Sequence, residues 1–110
     1  MKVTTREAND VKIADFEGNL DTNTAPDAEE QLKALAKQGA TKILVNFEKL
    51  DYVSSAGLRV LLATAKGLQA SDGSLRICGL NETVEEIFDI SGFSTIFNVF
   101  GTEAEALEGF

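Results

Sequence analysis

Five residues near the middle of the chain, Ile43-Leu44-Val45-Asn46-Phe47, form a short and nearly continuous apolar run that is rich in β-branched side chains. A run of this length and composition is typical of a strand that is buried on both faces. Such a strand lies in the interior of a sheet and not at its edge. The run therefore predicts a central strand, around which the other elements must be arranged.

The segments on both sides of this strand have the periodicity of amphipathic helices. Before it, Thr24-Ala25-Pro26-Asp27 is a helix start with Thr24 as the cap, and Gly39 ends the helix. After it, apolar residues recur at helical spacing until Ser71-Asp72-Gly73. The predicted inward-facing residues are Ala25, Ala28, Leu32, Leu35 and Ala36 in the first helix and Leu58, Leu61, Leu62, Ala65 and Leu68 in the second.

Shorter elements are predicted toward the two ends of the chain. Residues 2–7 and the alternating segment from Val11 to Phe16 pair as a hairpin, because Asn9-Asp10 between them is favourable turn chemistry. Four elements follow the second helix. They are a strand at Leu75 to Cys78, a helix capped by Asn81 and ended by Ser91-Gly92, a strand at Ile96 to Phe100, and a brief helix after the capping box Thr102-Glu103-Ala104-Glu105.

This alternation of strands with helices of one to four turns predicts an α/β fold. We expect a mixed β-sheet of four to five strands with an antiparallel opening hairpin and about four helices, which lay their apolar stripes on the sheet. A length of 110 residues with 44% apolar content is that of one globular domain able to bury a core. Residues 1–110 are therefore expected to form a single domain.

The charge balance restricts the class of partner. Eighteen acidic against ten basic side chains give a formal net charge of −8. This charge repels phosphate backbones and anionic lipid headgroups, so we expect neither nucleic acid nor a membrane as a partner. Protein surfaces that carry Lys or Arg remain suitable, although the acidity serves solubility equally well.

Several kinds of active site lack their usual residues in this chain. The sequence has no His, the commonest metal ligand and general base near neutral pH, and its lone Cys78 lies in an apolar stretch that predicts a buried side chain. We expect no catalytic residue, no metal site and no cofactor. No apolar run is long enough for a signal peptide or for the ~20 residues of a membrane span. The expected location is cytoplasmic.

The segment Asp51-Tyr52-Val53-Ser54-Ser55-Ala56-Gly57-Leu58-Arg59 joins an apolar strand region to a helix through small hydroxyl residues. The first backbone N–H groups of a helix lack internal partners, and the macrodipole adds about half a positive charge there. A phosphate on a serine at this position would be stabilised locally, and its roughly −1.5 to −2 charges would make a docking surface repulsive. Plain helix capping explains the same serines.

The same segment resembles the signature of the sulfate-transporter and anti-sigma-factor antagonist (STAS) domain, whose usual form is Asp-Ser-Ser/Thr-Gly-Leu after an apolar pair. The resemblance covers nearly the whole chain. It includes Gly18-Asn19-Leu20-Asp21 before the first helix, the run Ile43 to Phe47, and Phe88-Asp89-Ile90-Ser91-Gly92-Phe93 near the C-terminus. In that family a serine-kinase anti-sigma factor phosphorylates the first hydroxyl of the motif, and the unphosphorylated form captures the kinase and frees the sigma factor.

The resemblance implies residue roles as well as a fold. Alignment on Gly57-Leu58 places the phosphorylated serine of the family on Ser55 and its preceding aspartate on Ser54, which leaves Ser54 as the alternative acceptor. The implied partners are a serine-kinase anti-sigma factor and a metal-dependent serine phosphatase. The implied partner-binding residues are Asp21, Thr22, Asn23, Thr24, Ser54, Ser55, Ala56, Gly57, Leu58 and Arg59.

Ordinary structural roles compete for most of these residues. Gly57 would allow close approach of the backbone, Asp21 would support the turn before Thr24, and Arg59 would be a solvent-facing arginine that does not pair with phosphate. Exposed residues among Val60, Leu61 and Ala63 would extend a binding face, whereas the helical stripe would place most of them in the core.

Two other functions are compatible with the sequence. A STAS domain also serves as a stand-alone adaptor subunit of a transporter or another signalling assembly, in which no serine is modified. A nucleotide-binding enzyme is the third possibility, but the absence of His, of a Gly-rich phosphate loop and of a metal-ligand cluster favours a kinase substrate over an enzyme. We therefore expect that the chain is not an enzyme.

Overall fold

An antiparallel hairpin of β1 (Lys2–Ala8) and β2 (Val11–Leu20) opens the chain in the computed structural model, which describes residues 1–110. Between the strands, Asn9 and Asp10 have φ angles of 50° and 69°. Two left-handed residues are what a two-residue type I′ turn requires, and Asn and Asp tolerate that conformation well. The predicted hairpin is confirmed.

Helices and strands then alternate to the end of the chain. They are α1 (Ala25–Lys37), β3 (Lys42–Val53), α2 (Ser55–Gln69), β4 (Ser74–Cys78), α3 (Glu82–Ser91), a 3₁₀ turn (Phe93–Thr95), β5 (Asn98–Phe100) and α4 (Glu103–Leu107). The sheet has the order β1-β2-β3-β4-β5, and every pair except β1–β2 is parallel. The predicted α/β class, mixed sheet and four helices are confirmed, and β3 is the central strand.

The larger part of the core lies between the sheet and helices α1, α2 and α3. Alternate strand residues such as Phe16, Val45 and Ile77 point to this face and join a cluster of 21 buried residues with the helical stripes. Phe16 and Phe47 pack edge to face, with ring centroids 5.4 Å apart. The shared burial of strand and helix side chains in this cluster holds the helices on the sheet.

The opposite face of the sheet is apolar only along one strip, which α4 covers. Val11, Ile13, Leu44 and Cys78 are buried there together with Ala106 of α4. Burial raises the pKa of the Cys78 thiol to about 12, so the thiol stays protonated at neutral pH. The predicted buried, unreactive role of Cys78 agrees with this position.

Three strand boundaries differ by more than one residue from the sequence prediction. The second strand was expected to end at Phe16, but β2 continues to Leu20. The central strand was expected to end at Phe47, but β3 continues to Val53, because its second half, of mixed polarity, pairs with β2 through register shifts after Asp15 and Gly18. The last strand was expected from Ile96 but begins at Asn98. Phe97 turns into the core instead, with its ring 6.1 Å from that of Phe88.

The predicted helical stripes are correct except at their margins. The α1 residues Ala25, Ala28, Leu32 and Leu35 are buried, whereas Ala36 is exposed and lines a crevice between α1 and α2. In α2, Leu58, Leu61 and Leu68 are buried, while Leu62 and Ala65 are only half-buried. The stripes therefore contact the sheet along their centres, and the flanking positions of each helix stay partly open to solvent.

Candidate functional site

The two segments singled out by the sequence lie side by side at one edge of the sheet. Strands β2 and β3 are parallel neighbours, so their carboxyl ends meet at the same edge. The loop that starts at Asp21 follows β2, and Ser54 follows β3. The Ser54 N–H donates to the Leu20 carbonyl oxygen at 2.8 Å, which joins the two segments directly.

The two serines at the start of α2 have different environments. Ser54 is the N-cap, with extended backbone, and its hydroxyl oxygen accepts the Gly57 N–H at 3.3 Å. Ser55 is the first helical residue, and its side chain is exposed with no hydrogen bond to another residue. Of the two hydroxyls, only that of Ser55 is free of a structural role.

Backbone donors surround the Ser55 position. The first helical hydrogen bond runs from the Leu58 N–H to the Ser54 carbonyl oxygen at 3.0 Å, so the amides of Ser55 and Ala56 precede it. The first turn of this 15-residue helix contains no acidic side chain. Unpaired donors and the positive end of the helix dipole favour an anion at this location.

The loop after β2 is held by the side chain of Asp21. Its Oδ1 atom accepts the N–H groups of Asn23 at 2.9 Å and Thr24 at 3.1 Å, in an Asx-turn arrangement. Thr24 is the N-cap residue of α1, as predicted, but its hydroxyl makes no capping hydrogen bond to the helix. That hydroxyl instead donates to the Asn19 carbonyl oxygen at 2.8 Å and accepts the Asp21 N–H at 2.9 Å, which closes the loop on itself.

Gly57 allows the start of α2 to approach the ends of both strands. A Cβ atom at Gly57 would lie 2.7 Å from Leu20 Cγ and 2.8 Å from Val53 Cγ2, well inside normal contact distance. Gly57 and Leu58 are both buried, so they support the surface from below. The members of the predicted binding set that face solvent are Thr22, Asn23, Ser55 and Arg59, while Asp21, Thr24, Ser54 and Ala56 are half-buried.

The remaining candidates on α2 separate into exposed and buried positions. Arg59 is exposed, one helical turn beyond Ser55, and its Nε donates to the Ser55 carbonyl oxygen at 3.4 Å. Val60 and Leu61 are buried in the core, and only Ala63 is exposed. The exposed side of α2 next to Ser55 is thus formed by Arg59 and not by an apolar patch.

Sequence reasoning missed two contacts that hold this edge. The Leu20 carbonyl gives no signal in a sequence, since any residue at the end of a parallel strand offers the same acceptor. Asn81 was predicted only as a cap, which it is, with its Oδ1 accepting the Val84 N–H at 2.8 Å. Its Nδ2 also donates to the Leu50 carbonyl oxygen at 2.9 Å and so ties α3 to the end of β3.

A polar cavity of about 400 Å³ lies elsewhere, on the face of the sheet away from α1, α2 and α3. Its wall includes Arg6, Asp15, Asn46 and Glu103, and none of the Ser55 site residues lines it. No group of three or more Cys, Asp or Glu side chains is placed to hold a metal ion. None of the helices has the length and apolar content needed to cross a bilayer.

Comparison with known proteins gives a consistent result. The family model of the STAS domain matches residues 2–106. A Bordetella bronchiseptica protein named anti-sigma factor antagonist BtrV is 37% identical over 110 residues, which cover 100% of this chain and 95% of that protein. The anti-sigma-B factor antagonist of Staphylococcus aureus is 36% identical over 89 residues, 80% of this chain and 82% of that protein.

The fold agrees with that of a solved relative. The crystal structure of an anti-sigma factor antagonist from Thermotoga maritima superposes with a TM-score of 0.91 at 21% identity, and the match covers 96% of this chain and 92% of that chain. The sequence resemblance stated on the residues around Ser55 is confirmed by the family model and by relatives that match nearly the whole chain. The chain belongs to the STAS domain family.

Proposed function

We propose that this protein is an anti-sigma factor antagonist whose unphosphorylated form captures a serine-kinase anti-sigma factor and frees the sigma factor, and whose capture is switched off by phosphorylation of Ser55. One observation carries the choice of residue: the Ser54 hydroxyl is engaged by the Gly57 N–H, whereas the Ser55 hydroxyl is exposed and unengaged. Relatives that are named anti-sigma factor antagonists support the class of function.

The docking surface of this proposal consists of the Asp21–Thr24 loop, the first turn of α2 from Ser54 to Ala56, and Arg59. The Ser54–Leu20 hydrogen bond and the close packing at Gly57 hold these parts in one rigid arrangement. A surface that is already ordered binds without a large loss of conformational entropy. The same rigidity makes it sensitive to an added group, because the loop cannot move aside without breaking those contacts.

A phosphate on Ser55 would change this surface without disturbing the fold. It would add roughly −1.5 to −2 charges at pH 7, next to the free amides of the helix start, which stabilise an anion. The partner's matching surface would then face a bulky dianion in place of a small hydroxyl. A metal-dependent serine phosphatase would restore the hydroxyl and with it the binding state.

Ser54 suits this role less well than Ser55. Its side chain is half-buried, and a phosphate on its oxygen would replace the hydrogen bond that caps α2. Loss of an N-cap costs about 1 kcal/mol. Modification of Ser54 would therefore act on the stability of α2, while modification of Ser55 acts on the surface alone.

The proposal is tested by titrating the purified chain with the serine-kinase anti-sigma factor of the same organism in a calorimeter. Ser55→Ala is expected to bind like the wild type, because it removes only the acceptor. Ser55→Asp is expected to bind at least tenfold more weakly, and Ser71→Asp, the same change at an exposed serine beyond the other end of α2, is the matched control. Equal affinities for all four proteins would contradict the proposal.

Intact mass measured after incubation with this kinase and ATP separates the switch from a transporter adaptor. The switch predicts one added phosphate on the wild type and none on Ser55→Ala. A chain that acts as an unmodified adaptor would gain no phosphate, even with the kinase in excess.

A further inference from the structure

The last residues of the chain lie across the face of the sheet opposite α1, α2 and α3. We call residues 102–110 the C-terminal cover. It comprises Thr102, the five-residue helix α4 and the turn to Phe110. The Thr102 hydroxyl caps α4 by accepting the Glu105 N–H at 3.2 Å, so the cover has a defined internal structure of its own.

Arg76 of β4 fastens the end of the cover through its main chain. Its Nη1 donates to the carbonyl oxygens of Ala106 at 2.9 Å and Glu108 at 3.0 Å, and its Nη2 donates to that of Gly109 at 3.3 Å. The guanidinium carbon also lies 4.5 Å from the ring centroid of Phe110, within cation–π range. One side chain of the sheet thus contacts four of the nine residues of the cover.

Further polar side-chain contacts come from the strands, in addition to the apolar contacts that Leu107 and Phe110 make with the strip. Glu103 pairs with Arg6 of β1 and accepts from the Asn46 amide of β3 at 3.1 Å. Lys42 Nζ donates to the Phe110 main-chain oxygen at 3.2 Å. Of these contacts, the Arg6–Glu103 pair is exposed, so water can replace it when it breaks.

The burial of the cover itself is small compared with what it hides. Only Ala106 among its residues is fully buried, whereas Val11, Ile13, Leu44 and Cys78 beneath it are each at most 1% exposed. The helices α1, α2 and α3 instead contribute many side chains to the main core cluster. Leu107 and Phe110 also pack against the strip but stay partly exposed. An element that buries few of its own side chains opens at a lower free energy than the core around it.

We propose that the C-terminal cover is a hinged strap, latched by Arg76, which opens as a unit about Gly101 while the sheet and helices α1, α2 and α3 stay folded. Gly101 is exposed and follows the last residue of β5 directly, so the strap can swing without unpairing a strand. Opening bares an apolar strip of Val11, Ile13, Leu44 and Cys78 on the sheet face away from α2. The inference does not depend on the function proposed for Ser55.

Cys78 reports this opening, because it is the only cysteine of the chain and lies under the strap. The rate of its reaction with a small aromatic disulfide reagent is measured in the wild type over a series of sub-denaturing urea concentrations. The strap predicts a rate whose urea dependence is clearly weaker than that of global unfolding. A rate that follows global unfolding at every urea concentration would overturn the proposal.

Variants of the latch give a second, independent readout. Arg76→Ala is expected to raise the reaction rate of Cys78 roughly tenfold or more. Arg76→Lys keeps the positive charge but loses the planar guanidinium that donates several hydrogen bonds at once, so it is expected to raise the rate less. Arg59→Ala, which removes an arginine far from the strap, is the control and leaves the rate unchanged. Amide exchange at Ala106 should accelerate with Arg76→Ala while that of Leu61 in α2 does not; equal acceleration at both amides would contradict an independent strap.

Discussion

The hydroxyl groups of Ser54 and Ser55, at the first turn of α2, have different roles. The Ser54 oxygen caps the helix by accepting the Gly57 N–H, and the Ser55 hydroxyl faces solvent. Ser54→Ala should lower the free energy of unfolding by about 1 kcal/mol, whereas Ser55→Ala should change it by less than about 0.5 kcal/mol. Urea denaturation of both variants measures the difference. An equal loss in both would show that the two serines share the capping role.

Gly57 is the residue at which added volume should do the most damage to the site. Alanine usually stabilises a helix relative to glycine, but here its Cβ would press on the side chains of Leu20 and Val53. Gly57→Ala should lower the free energy of unfolding by about 1–3 kcal/mol. Calorimetric melting is the measurement, with partner binding as a second readout.

Gly67 provides the matched control on the same helix. No atom lies within 4 Å of a Cβ built at Gly67, so Gly67→Ala should raise the free energy of unfolding by roughly 0.5–1 kcal/mol. Opposite signs for the two variants would identify the contacts of Gly57 as the cause. The same sign for both would mean that helix propensity, and not close packing, decides the outcome.

At the scale of elements, the hairpin, the helices and the central strand follow from patterns within short segments of sequence. The turn at Asn9-Asp10 and the caps at Asn81 and Thr102 are local, because each depends on contacts within a few residues. The second half of β3, by contrast, depends on contacts with residues that are distant in the chain. Residues 48–53 mix charged side chains with the buried Leu50 and Val53 and lack the alternation of a strand, and they become a strand because β2 lies beside them.

The attachment of α4 to the sheet should depend on pH through Glu103. Its ion pair with Arg6, and to a lesser degree the Asn46 amide, lowers the pKa of the Glu103 carboxyl below its ordinary value of 4.5, against the opposing effect of partial burial. Because this pKa is lower in the folded protein than in the unfolded chain, Glu103 contributes stability above pH 4.5, and the contribution is lost as the pH falls through the folded value.

Glu103→Gln should therefore lower the free energy of unfolding at pH 7, and the difference from the wild type should shrink as the pH falls below 4.5 and through the lowered pKa of the folded protein. Urea denaturation at several pH values measures it. Glu108→Gln is the control, since Glu108 is exposed and makes no ion pair, and it should change the free energy of unfolding at pH 7 by less than about 0.5 kcal/mol. A difference for Glu103→Gln that grows at low pH would have the wrong sign for a lowered pKa.

Across the whole molecule, the charge is unevenly distributed along the chain. Residues 77–110 contain seven of the acidic side chains and no Lys or Arg, so the excess negative charge comes almost entirely from the last third of the sequence. A partner that recognises such a protein gains from basic side chains at its own surface. Binding of the serine-kinase anti-sigma factor should accordingly weaken as NaCl is raised from about 50 to 500 mM, and calorimetry measures the affinity at each concentration. An affinity that is independent of salt would contradict a basic surface on that partner.

The candidate site could be located from the sequence but not assembled from it. The serines, Asp21 and Gly57 were all identified from their residue types and from the resemblance to the STAS domain. Their contacts with Leu20 were not, because Leu20 ends β2 and lies more than thirty residues before Ser54 and Gly57 in the chain. The division between buried Leu58 and exposed Arg59 likewise required the orientation of α2 on the sheet.

The most direct test is to compare the dissociation constants of unphosphorylated protein and of protein that carries one phosphate on Ser55 for the same serine-kinase anti-sigma factor, with the melting temperature of each form measured in parallel. We expect binding at least tenfold weaker for the phosphorylated form and melting temperatures that agree within about 2 °C, since a phosphate at the helix start changes the surface and not the core. Unchanged affinity, or a loss of affinity that accompanies unfolding, would contradict a switch that acts through the surface at Ser55.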